Sequence, residues 1–250
     1  VAREASEEDS SQEKGTRLVA VSLEARELDV GQAEVNLSAR KLESLVYFPV
    51  RIGRSWMQTI INGSERRDRY AAQIESSLPR ISIRVPSNRN VKHVIVDGKP
   101  VTEELTAVFT AEGTQYQIDL PNGGIRTYQI EVWMISSESL SWLSPVDIDV
   151  PEIEGAQFYD RFYWQLAIPS IQHIGFASAR MTPEWTWQWS GVWWSRESRM
   201  QQGDLERWVG ATQQTNLPLS VNSYVLSSFG GGRSFQIWVM SRFMLWLPIG

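Results

Sequence analysis

Apolar and polar residues alternate in short runs from Thr16 onward, and turn residues punctuate the runs. A period of two puts every second side chain on one face of a strand, so the pattern predicts a β protein with antiparallel pairing. "RLVAVSLEA" and "AEVNLSARKL" flank a turn at Val30-Gly31, and "RISIRV" aligns Ile81, Ile83 and Val85 before Pro86 ends the run. "VKHVIVDGKPV" enters an Asp97-Gly98 turn, a dipeptide that favours the left-handed conformations of a tight hairpin. "AVFTAEGTQYQIDL" repeats the design, with Glu112-Gly113 as its expected turn and Tyr116, Ile118 and Leu120 alternating after it. After "NGG" at 122–124, "TYQIEVWMI" places Tyr128, Ile130, Val132 and Met134 on one side. Three successive hairpin-like steps predict a meander or one sheet of a sandwich.

One stretch breaks the alternation. "SERRDRYAAQIESSL" at 64–78 is charged, carries an Ala-Ala pair, and spaces Tyr70, Ile74 and Leu78 four apart. This predicts a short amphipathic helix or an exposed loop, with Arg66, Arg67 and Arg69 on its outer face, either simply solvated or offering a patch to an acidic group. "SPVDIDVPEIEGA" at 144–156 brings two prolines and a run of acids, which suggests an internal boundary. The expected layout is therefore an acidic, disordered leader at 1–15, a β-sandwich domain at 16–145, and a Trp-rich β domain or second half of the sandwich at 146–250. The fold class is all-β: an antiparallel β-sandwich architecture, as one long sandwich or two β domains, with at most one short helix.

The aromatic second half carries the candidate chemistry. "EWTWQWSGVWWSRE" at 184–197 sets five tryptophans within ten positions. On a strand Trp185, Trp187 and Trp189 share one face, and Thr186, Gln188 and Ser190 the other. If the indoles fill a sandwich interior, each buries roughly 150–250 Å², and Trp187→Ala costs roughly 3–5 kcal/mol. If they are exposed, they form a platform that stacks on sugar rings, with Gln188, Asp160 and Glu184 as hydroxyl partners. Aromatics at a membrane interface are a third option, and the chain's last stretch bears on it. "SFQIWVMSRFMLWLPIG" is apolar but too short to span, with Arg242 in its middle. It is read as a pair of core strands or as the approach to a membrane; in the second case Trp238, Phe243 and Trp246 are candidates for self-association.

Composition narrows the chemistry further. The 250 residues contain 24 basic and 29 acidic side chains, a net charge of -5, so no broad positive field awaits a phosphate backbone and nucleic acid is not an expected partner. No cysteine is present, which excludes thiol catalysis and Cys-ligated metal. His93 and His173 are the two histidines and fit no metal-ligand spacing; His173, beside Ile171 and Ile174, reads as a partly buried core residue. No G-x-S-x-G elbow occurs, and "FGGGRS" at 229–234 lacks the ending of a P-loop. No cofactor or metal is expected. Asp160, Glu184, Glu197, Asp204 and Glu206 could in principle supply a glycosidase pair, with surface carboxylates as the plainer reading.

The stretch "RFYWQLAIP...HIGFASARMTPEWTWQWSGVWWSRESRMQQGDLERWVGA" resembles a pattern that precedes the final hydrophobic segment of large planctomycete-type bacterial membrane proteins. The similarity covers about residues 158–250. "TPEWTWQW" fits it, whereas "SRESRMQQGDLE" is only loosely like the usual Arg-Pro-containing link. The resemblance implies an extracytoplasmic, membrane-proximal β domain, periplasmic or at the cell surface, whose partner is the remainder of its own membrane-anchored chain; it carries over no catalytic residue. The expected function is thus a non-enzymatic module of a larger membrane-anchored protein. The alternatives are a carbohydrate-binding module using the Trp185–Trp194 strand and a glycoside-active enzyme.

Overall fold

The structure, a computed structural model, describes residues 20–28, 32–40, 49–101, 105–121, 125–158, 160–177, 180–189, 191, 194–211, 217–218, 220–230 and 234–246. The acidic leader, the Val30-Gly31 turn and the "NGG" turn lie outside them. The chain forms two units, Val1–Tyr47 and Phe48–Gly250. In the first, β1 (Ala20–Leu28) and β2 (Gln32–Arg40) make an antiparallel hairpin whose pairing runs from Ala20 opposite Arg40 to Leu28 opposite Gln32.

The second unit is all-β with one short α-helix among its described residues. The long hairpin of β3 (Val50–Asn62) and β4 (Glu65–Ser76) comes first, then β5 (Arg80–Val85). The pair β6 (Asn90–Val96) and β7 (Lys99–Pro100) follows, with Asp97 and Gly98 both at positive φ, as the Asp-Gly signal predicts. β8 (Thr106–Thr110) and β9 (Gly113–Asp119) pair around Ala111-Glu112, one residue earlier than the expected turn. Next come β10 (Arg126–Ser137), β11 (Leu143–Asp149), β12 (Glu152–Ile153), β13 (Ala156–Phe158), β14 (Arg161–Pro169) and β15 (Gln172–Ala177). The Trp-rich part supplies β16 (Thr182–Pro183), β17 (Trp185–Trp189) and β18 (Trp194–Ser198). Helix α1 (Gln202–Val209), β19 (Val221–Phe229), β20 (Ser234–Ser241) and a 3-10 turn at Arg242–Trp246 complete the unit.

A nine-stranded sheet organises the unit, in the order β16-β19-β14-β3-β4-β10-β6-β7 with β13 also on β3. Its pairing is not purely antiparallel: β14 and β13 run parallel to β3. One face carries the main core, where Met57, Tyr70, Ile74, Ile130, Val132, Trp164 and Leu226 meet residues of two smaller sheets, β12-β5-β9-β8 and β11-β20-β15. Ile81, Ile83 and Val85 join it as their alternation predicts, and so do Tyr128, Ile130, Val132 and Met134. The opposite face is covered by α1, where Leu205 and Val209 pack on Trp56, Ala71, Tyr163 and Val225. Successive residues of β14 therefore enter opposite cores, which is why "FYWQLAI" is buried without interruption.

Two expectations are corrected. Residues 65–76 form strand β4 in mid-sheet, not a helix or loop. A spacing of four is even, so Tyr70 and Ile74 share a strand face as readily as a helix face, and Ala72 fills the place between them in the core. Of the arginine trio only Arg67 points to solvent; Arg66 and Arg69 are fully buried. Segments on either side of residue 146 lie in one unit: β14 pairs with β3, and β11 pairs with β20 along its whole length. Val146, Ile148, Val150 and Ile153 belong to the same core as the strands on either side.

Helix α1 is fixed at both ends by its own sequence. Gln201 donates its backbone N–H to Asp204 Oδ2 at 3.0 Å, satisfying one donor of the first turn. Gly210 closes the helix at φ 77, and the Ala211 N–H donates to the Glu206 carbonyl at 2.9 Å.

Candidate functional site

The tryptophan strand leaves the body of the unit as a two-stranded ribbon, β17 with β18. Glu184 secures its root: its N–H donates to the Val225 carbonyl at 2.8 Å, and its Oε1 accepts from Ser227 Oγ at 2.6 Å. Trp185 is half-buried and meets Tyr224 edge to face, ring centroids 5.8 Å apart. Tyr224 in turn lies 2.9 Å from His173 Nδ1, which places His173 at the core margin as expected. Beyond Trp185 the ribbon emerges, and Trp187 and Trp189 are 56% and 57% exposed. They do not fill a sandwich interior. Pairing sets Trp187 opposite Arg196 and Trp189 opposite Trp194.

The hydroxyl partners expected beside the platform separate. Gln188 is exposed, but strand alternation turns it to the face opposite Trp187 and Trp189. Asp160 and Glu184 converge instead on Arg161. Asp160 Oδ1 accepts the Arg161 backbone N–H at 2.8 Å, and Arg161 Nη1 stands 3.9 Å from Glu184 Oε1 with its guanidinium over the Phe229 ring. The glycosidase set scatters further, because Asp204 caps α1 and Glu206 is buried against Arg69; the Glu197 side chain lies outside the described residues. Among the described residues no group of His, Asp and Glu is arranged to hold a metal.

A second feature was not foreseen from the sequence. Across the α1 face of the large sheet, Gln165, Gln58, Arg69 and Trp133 stand in one cross-strand row. Arg69 donates through Nε and Nη2 to Glu131 Oε2, at 3.1 and 2.8 Å, and through Nη1 to Glu206 Oε1 at 3.0 Å. Its guanidinium centre lies 4.7 Å from the Trp133 ring centroid and 5.3 Å from that of Trp56. Next to it opens a cavity of about 180 Å³ walled by Gln58, Ile60 and Asn62 of β3, Arg67 and Arg69 of β4, and Trp133 of β10. Glu65, Asp68 and Pro218 complete its lining, with the Asp68 carboxylate bonded to Arg66 and Thr59. The Arg67 guanidinium bonds Glu65 at 2.7 and 3.3 Å, and this hydrogen bond holds the Glu65 carboxyl below its ordinary range. Sequence spacing hid the cavity because the β4 arginines read as a solvated helix face.

The opposite face of β4 holds a separate buried network. Arg66 donates to Asp68 at 2.8 Å and to Glu138 at 2.6 Å; Thr59 donates to Asp68 at 2.6 Å, and Arg89 stands 3.3 Å from the same carboxylate. With two arginines against two acids it is charge-balanced, the arrangement a buried ionic cluster needs.

The final stretch divides by face. Phe235, Ile237 and Val239 of β20 enter the main core, while Trp238, 39% exposed, lies in register between Pro145 and the exposed Phe176. Phe243 is 76% exposed; the Trp246 side chain lies outside the described residues. Among the described residues no helix is long and apolar enough to cross a membrane, which leaves spanning by strands unaddressed.

No protein-family model and no curated protein matches the chain. Among solved structures it is similar to an M1 zinc metallopeptidase from Deinococcus radiodurans, at 11% identity and a TM-score of 0.43, over 77% of this chain and 42% of that one. Native leukotriene A4 hydrolase from Saccharomyces cerevisiae gives 6% identity and a TM-score of 0.44, over 76% and 29%. The chain thus spans less than half the length of either. Likeness at this level carries no argument about fold or function.

Proposed function

We propose that the chain is a glycan-binding, non-catalytic β module of a larger membrane-anchored bacterial protein, displayed outside the cytoplasm. One observation carries the binding role: Trp187 and Trp189 project from a ribbon with more than half of each residue in solvent. Exposing two large indoles together is costly unless a partner covers them, and an indole face suits the apolar face of a sugar ring. A ribbon rooted through Glu184 and Trp185 presents the two rings in solvent, where a polysaccharide can reach them. The row of Pro145, Trp238 and Phe176 is a separate outward surface, and on this reading the remainder of the anchored chain or a second copy packs there.

The test is a glycan array probed with the protein and with the Trp187→Ala/Trp189→Ala variant, followed by calorimetric titration of the hits. At about 0.5–1.5 kcal/mol per lost aromatic contact, the loss of both weakens the variant's affinity by about five-fold to 150-fold. Its melting temperature stays close to that of the parent, because rings already in solvent contribute little to the core. Binding that survives the double substitution, or an array with no hits for the parent protein, overturns the proposal.

A further inference from the structure

We infer that the cavity beside Arg69 is a binding site for one small, uncharged polyhydroxylated ring, separate from the tryptophan ribbon. Its size comes first. About 180 Å³ is well below the roughly 300–1,000 Å³ of pockets for drug-sized ligands, so the occupant is about one sugar ring or a cyclic polyol.

Charge selects against ionic ligands. Both arginines of the wall are already matched, Arg69 by Glu131 and Glu206 and Arg67 by a two-point contact with Glu65. An anion finds no uncompensated cation, and it would lie close to the acids that neutralise Arg69. A cation would have to displace Arg67 from Glu65. What the cavity offers freely is neutral. Gln58 is buried, donates its amide N–H to Gln165 Oε1 at 3.1 Å and lines the cavity. Asn62, exposed at the mouth, brings a second carboxamide. A carboxamide both donates and accepts, as a hydroxyl does, so two of them suit a polyol better than a group of fixed polarity. Trp133 adds an aromatic wall and Ile60 an apolar one, against which a ring can lie.

The wall is also held in place before any ligand arrives. Gln165 passes the Gln58 contact on to Ser223 Oγ at 3.1 Å, and the stacked, doubly paired Arg69 fixes the side of the cavity next to Trp133. A prearranged wall adds no ordering cost on binding.

Saturation-transfer NMR with glucose, galactose, N-acetylglucosamine and myo-inositol, alongside glucose 6-phosphate and glucosamine, tests the inference on the full chain. At least one neutral ring binds saturably with a Kd of about 1 mM, the range set by ligand efficiency for so few atoms. The charged analogues bind at least ten-fold more weakly. Asn62→Trp plugs the mouth from an exposed position and abolishes the signal while the urea midpoint is kept; Gln58→Leu weakens it. The ribbon variant Trp187→Ala/Trp189→Ala retains it, which separates this site from the glycan platform. No saturable binding of any neutral ring, binding unaffected by Asn62→Trp, binding lost with the ribbon, or preference for a charged analogue each overturns the inference.

Discussion

Arg69→Met removes the one cation that two buried acids share. Glu131 is fully buried and Glu206 nearly so, and among the described residues Arg69 is the only guanidinium paired with either. Stranding a buried ionic partner costs about 3–5 kcal/mol. Loss of the stacks on Trp133 and Trp56 adds about 0.5–2 kcal/mol, although the methionine regains part of it as apolar contact. Against a total stability of about 5–15 kcal/mol, the substitution removes a large fraction. Glu131→Gln is far milder, since it leaves Arg69 and Glu206 as a balanced pair. The decisive variant is the double substitution: with Arg69 gone, converting Glu131 to Gln deletes one of two stranded anions, so the double variant is more stable than Arg69→Met alone by about 1 kcal/mol or more. Urea unfolding followed by tryptophan fluorescence and circular dichroism measures all three. An Arg69→Met protein within about 1 kcal/mol of the parent, or a double variant less stable than the single one, refutes the claim that this cluster is held by charge pairing.

Two further outcomes follow from local geometry. Gly113 sits at φ 147, where a Cβ would collide with the Val85 carbonyl oxygen, so Gly113→Ala lowers stability by about 1–3 kcal/mol, whereas Gly203→Ala, in open space within α1, raises it by up to about 1 kcal/mol; thermal melts showing the reverse order would sink the argument. Burial pushes the Tyr70 phenol well above its ordinary value, so it favours the fold in full below about pH 10 and that contribution is lost as pH rises beyond it. Tyrosinate absorbance from Tyr70, identified by difference against Tyr70→Phe, appears only as the protein unfolds in alkali.

What was legible in the sequence was which residues share the core face of a strand. "RISIRV" buries alternate residues, "TYQIEVWMI" sends Tyr128, Ile130, Val132 and Met134 into the main core, and the Asp97-Gly98 turn closes its hairpin by the left-handed backbone its residues favour. Pairing between distant segments was not legible, because period two says which side chains share a face and nothing about which strand lies alongside. The parallel β3–β14 contact and the return of β20 to β11 are of that kind, and the β3–β14 contact joins segments on either side of the acidic, proline-containing stretch. Asp147 marks the wet side of β11, while Val146 and Ile148 on either side of it are in the core.

The site failed to show for a related reason. Periodicity equates charge with solvent, and β4 breaks that equation on both faces: Arg66 and Asp68 are buried toward the main core, Arg69 toward α1. Such charges survive burial only when paired, and beside the Arg66–Asp68 pair within β4 the partners come from other elements, Glu138 after β10, Glu131 within it and Glu206 on α1, up to 137 residues away in the chain. A reading of one segment at a time cannot see partners at that distance. The tryptophan run departs in the opposite sense, since apolarity there does not mean the interior. Trp185 obeys, but two residues further along the same face Trp187 and Trp189 stand more than half exposed on a two-stranded sheet of their own. Both departures fall where side chains cost stability in the free protein, and those are the places at which binding a partner returns the most.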